Sequence, residues 1–119
     1  MNPVTGLSLG RIAVGAISFA RPGLAAQLFG LDLVNNPQSA YVARLFGSRE
    51  IALGAATLLA RGSARRNLVL AGIGVDLADA ATGVLGIQDK TVTTRTGAML
   101  TAPAIGAVLA GLGGLRDKV

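Results

Sequence analysis

Residues 96–115 run for twenty positions without an Asp, Glu, Lys or Arg. A helix of that length extends about 30 Å, the thickness of the hydrocarbon core of a bilayer. Two folds accept such a segment: a bundle of membrane-spanning helices, or a soluble helical bundle that buries it. Composition decides between them. Of the 119 residues 51% are apolar and only 14% are charged, against roughly 25% charged in an ordinary soluble domain. So few charges do not solvate the outside of a soluble bundle. The chain therefore reads as an all-α, four-helix transmembrane bundle, a single domain over residues 1–119.

Turn chemistry places the other spans. The first apolar stretch covers residues 5–20 and stops at Arg21-Pro22-Gly23, because proline lacks the helical donor and disfavours helix in the residue before it. A short helical turn in the interface is expected over residues 24–29, then a loop holding Asn35-Asn36-Pro37. The second span is expected over residues 39–60, closed by Arg61-Gly62-Ser63-Ala64-Arg65-Arg66, the third over 67–86, and the fourth over 95–115. No Lys or Arg precedes the first stretch and Arg11 interrupts it, so it is not expected to be a cleaved signal peptide. Arg61, Arg65, Arg66, Arg116 and Lys118 fall on the side of the two termini, against Arg21, Lys90 and Arg95 opposite. By the positive-inside rule both termini are cytoplasmic and the chain is a multi-pass protein of the inner (plasma) membrane.

Several chemistries are excluded by residue type. The chain has no His and no Cys, which removes imidazole and thiolate metal sites, cysteine nucleophiles and His-based triads; no metal and no cofactor are expected. The formal charge is +5, yet the four aromatic residues, Phe19, Phe29, Tyr41 and Phe46, lie outside any basic patch, so nucleic acid is not an expected partner. The lipid bilayer is. Small residues recur at helical spacing, and Gly10, Gly15, Gly72, Gly83 and Gly106 are expected at helix contacts, where lipid supplies no hydrophobic drive for association. The segment Arg11-Ile12-Ala13-Val14-Gly15-Ala16 is also similar to the stretch from Arg49 through Ile51-Ala52-Leu53-Gly54-Ala55.

The informative residues are the charges inside the spans: Arg11, Arg44, Arg49, Glu50, Asp76 and Asp79. Each costs at least ~2.5–3.5 kcal/mol near a bilayer centre, so each needs a partner. An antiparallel hairpin of the second and third spans brings Glu50 level with Asp76 and Arg49 level with Leu77, between the two aspartates. Asp76 and Asp79 share a face with Gly72 and Gly83. Arg44 lies farther outward, able to reach toward Asp79 or to snorkel. Three arginines against three carboxylates make a neutral core. Arg44, Arg49 and Glu50 encircle more than half of the second helix, which implies either a snorkelling Arg44 or a protein partner around that helix. Pro103 frees the carbonyl of Met99 as a further acceptor for an arginine.

The run Arg44-Leu45-Phe46-Gly47-Ser48-Arg49-Glu50, followed by Gly54 and by Asp76 on the next span, resembles a family of small, uncharacterised four-helix integral membrane proteins of high-GC bacteria, and more distantly the DoxX-like grouping. The resemblance implies a four-helix membrane bundle and no assigned reaction, so it carries no catalytic residue over. The expected role is an accessory or scaffolding subunit of a larger membrane assembly, or a homo-oligomer, held by the intramembrane charge network. The alternatives are an enzyme or binder of a small apolar lipid of the isoprenoid or quinone class, using the intramembrane carboxylates, and a small proton- or cation-coupled transporter.

Overall fold

The computed structural model describes residues 2–32 and 34–116. Lys118, counted above toward the orientation, lies outside the described residues. Among the described residues the chain is all-helical, with five helices: α1 Pro3–Ala20, α2 Pro22–Leu28, α3 Ser39–Leu59, α4 Gly62–Gln88 and α5 Thr94–Arg116. Helices α1, α4 and α5 are long and apolar enough to cross a membrane. α3 is 21 residues long and carries Arg44, Arg49 and Glu50 within it.

The helix ends follow local chemistry. Asn2 caps α1 by accepting from the Val4 N–H at 2.8 Å, and α1 ends where Arg21 leaves the helical conformation ahead of Pro22. Pro22 opens α2 at a position where a missing donor costs nothing. Thr93 caps α5, its hydroxyl oxygen accepting from the Thr96 N–H at 3.1 Å. In the α2–α3 connection Asp32 accepts from the backbone N–H groups of Asn35 and Val34. The Asn35 backbone and side-chain bonds, with the Val34 N–H, hold this exposed carboxyl below the usual aspartate range. One boundary differs from expectation. Residues 62–66 are helical rather than loop, because arginine is a good helix former and Gly62, at φ +60°, makes the whole turn after Ala60 and Arg61.

The buried positions recur three, four or seven apart. They are Ser8, Arg11, Gly15 and Ser18 on α1, Gly47, Glu50, Gly54 and Thr57 on α3, and Val69, Gly72, Asp76, Gly83 and Gly86 on α4. That is the repeat by which helices stay in contact along their length. The two similar sequence segments thus supply matching 3-4-3 stripes, and they meet. A Cβ at Gly15 would stand 2.6 Å from the Gly47 carbonyl oxygen, and one at Gly47 would stand 2.5 Å from the Gly15 carbonyl oxygen. Gly54 lies equally close on the Ser8 carbonyl, so α1 and α3 run antiparallel with backbone against backbone. α4 and α5 form a second tight pair through Gly83, Gly97 and Gly111. Gly114 of α5 seats Val4 of α1. The α3–α4 hairpin read from the sequence is therefore the looser neighbour relation, and the tight pairs are α1–α3 and α4–α5.

The distribution of side chains is the reverse of a soluble domain. The buried apolar residues are Val4, Ala25, Ala26, Val69 and Ala104, whereas Leu45, Leu77, Leu85 and Leu109 are each more than half exposed. Buried polar groups and exposed large apolar ones are the informative departures from ordinary burial, and together with the three spanning-length helices they are the pattern of a membrane protein.

Candidate functional site

Five charged side chains form one chain of alternating sign. Arg11, in the middle of α1, donates both guanidinium nitrogens to Asp76 of α4, Nη1 to Oδ1 at 2.9 Å and Nη2 to Oδ2 at 2.5 Å. Its Nη1 also donates to Glu50 Oε2 of α3 at 2.9 Å. Arg49 donates to the other Glu50 oxygen at 3.0 Å and to both oxygens of Asp79, at 3.2 and 2.7 Å. The order is Asp76, Arg11, Glu50, Arg49, Asp79. Every carboxylate oxygen accepts one guanidinium N–H: Asp76 and Asp79 are each held in the bidentate geometry that makes such pairs strong, and Glu50 bridges the two arginines. Arg11, Glu50 and Asp76 are 8%, 4% and 2% exposed, while the side chains of Arg49 and Asp79 are 39% and 29% exposed. The network therefore has a closed end and an open end.

The local sequence explains how the network closes. Gly72 sits one turn from Asp76, and a Cβ there would stand 3.0 Å from Arg11 Nη2, so its missing side chain gives the guanidinium its place. Arg49 also lies over the Phe46 ring, 5.1 Å from its centroid, a cation–π contact from one helical turn below. Its Nε is buried without an acceptor.

Beyond the network the helices part. A cleft of about 1030 Å³ opens between the α1–α3 pair and the α4–α5 pair. Its walls include Val14 of α1, Val42 and Phe46 of α3, Gly86 of α4 and Pro103 of α5. On the other side of Arg11 the helices close on Val4, Ser8, Thr57 and Val69, leaving a void of only about 10 Å³. The charge chain thus lies at the junction, where the wide apolar cleft meets the sealed end.

Several expectations change. Arg44 does not join the network: its Nε donates to the Phe19 carbonyl at the end of α1, at 3.2 Å. Its place early in α3 puts it out of line with the carboxylates. The neutral three-against-three core becomes two arginines against three carboxylates. Arg49, expected level with Leu77, bonds Asp79 and not Asp76, which Arg11 takes. Among the described residues no arginine donates to Met99; those inside the bundle go to carboxylates, which are charged and accept more strongly. Finally, Gly10 and Gly106 are not packing glycines, since nothing lies within 4 Å of a Cβ at either. Both line the cleft instead. Gly15, Gly72 and Gly83 do sit at close contacts. Gly47, Gly54, Gly97, Gly111 and Gly114 were missed, though the 3-4-3 spacing around Glu50 was a signal for the first two.

The three carboxylates each bring an oxygen within 4.8 Å of the others, a spacing a metal ion accepts. All six oxygens already hold arginine donors, so a metal would have to displace a guanidinium. Comparison with family models, with curated proteins and with solved structures returned no match.

Proposed function

We propose that this chain is a four-span protein of the inner membrane, both termini cytoplasmic, that holds a small and largely apolar molecule in the cleft above its charge network. The observation that carries the reading is the cleft itself: about 1030 Å³, walled by apolar side chains and ending on a few polar groups, which is the general form of a small-molecule site. The part-exposed guanidinium of Arg49, which lines the cleft, supplies a donor for an oxygen on such a molecule, as an isoprenol or a quinone carries. The longest dimension of the fold, 45 Å, suits a bilayer with its headgroup regions, about 40–45 Å. α3 serves as the second span because Glu50 is enclosed and Arg44 reaches the end of α1. Arg61, Arg65, Arg66 and Arg116 support the orientation, and the resemblance to small four-helix membrane proteins agrees with the architecture.

A direct test uses farnesol and decylubiquinone as neutral probes on the full chain in mild detergent, with unfolding followed by circular dichroism. At least one probe is expected to stabilise the chain, and Gly106→Trp, which fills the cleft, is expected to abolish the effect. No stabilisation of the unaltered chain, or equal stabilisation of Gly106→Trp, would overturn the reading.

The accessory or scaffolding role is the second reading. It is favoured by Tyr41 of α3, which stands outside the cleft walls and is 68% exposed, a position that fits a neighbouring helix as well as lipid. Co-purification of a stoichiometric membrane partner, lost with Tyr41→Ser, would support it.

A further inference from the structure

We infer that the molecule held in the cleft is a lipophilic organic monocation, selected by the sign of the charge network. The inference rests on the reading of the cleft as a binding site and adds the charge of its occupant. The ionised groups facing the cleft are Arg11 from α1, Arg49 and Glu50 from α3, and Asp76 and Asp79 from α4. α5 contributes none, being uncharged from 96 to 115, and α2 offers only Ala25 and Ala26. Two guanidinium groups against three carboxylates leave one negative charge in surroundings of low dielectric, where an unmatched charge attracts its counterpart far more strongly than in water. Asn36 and Gln38, the polar side chains of the α2–α3 connection that line the cleft, are neutral and supply no counter-charge.

The placement of the excess is as informative as its sign. Arg11 is held by two enclosed carboxylates, so the sealed end of the chain is saturated. The open end terminates in Asp79, the most exposed of the three carboxylates, which shares its single arginine with Glu50. A cation entering the cleft therefore meets a carboxylate first. The volume and the apolar walls fit an organic body rather than a bare ion, and an anion of the same shape is repelled.

Three probes of similar size separate charge from shape: tetraphenylphosphonium, neutral triphenylphosphine oxide and tetraphenylborate, titrated calorimetrically into the full chain in neutral detergent. The cation is expected to bind at least tenfold more tightly than the other two. Asp79→Asn, which brings the network to neutrality, is expected to weaken the cation at least tenfold. Arg49→Gln, which adds a second negative charge, is expected to tighten it. Arg44→Gln, outside the cleft, is expected to change nothing. Two variants with opposite predicted signs keep the result independent of a general loss of fold. Equal binding of the three probes, or weakening by both network variants, would overturn the inference while leaving the cleft a binding site. If the neutral lipids above leave the unaltered chain unstabilised, the reading of the cleft falls, and the inference that rests on it falls too.

Discussion

At the scale of single residues, the network is an arrangement in which no member is easily spared. Asp76 and Glu50 hold the same guanidinium from two different helices, so removing Asp76 costs Arg11 its bidentate grip and leaves it on Glu50 by a single bond. Breaking a buried pair by removing one partner commonly costs ~3–5 kcal/mol. We expect Asp76→Asn to destabilise the fold by about that amount, and Arg49→Gln, at the half-exposed end, by about 1 kcal/mol. Equilibrium unfolding in mixed micelles measures both. A cost for Asp76→Asn no larger than that for Arg49→Gln would mean that the enclosed end of the network does not hold the helices together. The arginines were legible in the sequence as charges in need of partners. Which carboxylate each one takes was not, because a helical wheel gives a direction and a neighbouring helix decides which directions meet.

At the scale of elements, the glycines divide into two kinds. Gly15, Gly47 and Gly54 let α1 and α3 touch through their backbones, and a side chain at any of them would strike a main-chain oxygen. Main chain cannot swing aside as a side-chain tip can, so Gly47→Ala is expected to cost about 1–3 kcal/mol through overpacking. Gly10→Ala, with open space around it, should stay within about 0.5 kcal/mol. The same unfolding assay compares them, and equal costs would rule out the close α1–α3 contact. Spacing alone ranked Gly10 and Gly106 beside Gly15, since all three stand at small-residue positions. The three-and-four repeat of Gly47, Glu50, Gly54 and Thr57 was the better indicator, because it describes a continuous stripe rather than an isolated pair.

At the scale of the whole molecule, pairing α1 with α3 and α4 with α5 leaves a gap between the pairs, and that gap is the cleft. The four crossings proposed above would put the two chain ends on one face together with the arginines at 61, 65 and 66. A reporter active only in the cytoplasm is therefore expected to work when fused at either end, and one inserted after Asn36 is expected to be silent. Activity of the Asn36 insertion, or opposite results at the two ends, would exclude four crossings.

Much of the architecture was legible in the amino-acid order. The uncharged run 96–115, the break at Arg21-Pro22 and the polar residues near Asp89 determine helices of spanning length, because proline geometry and the cost of placing charge in hydrocarbon act on nearest neighbours along the chain. The tertiary structure alone decided that Arg44 stands outside the network, that Gly10 and Gly106 border open space, and that two guanidinium groups face three carboxylates. Those outcomes depend on how helices rotate and splay against one another, and that is fixed by contacts between residues tens of positions apart.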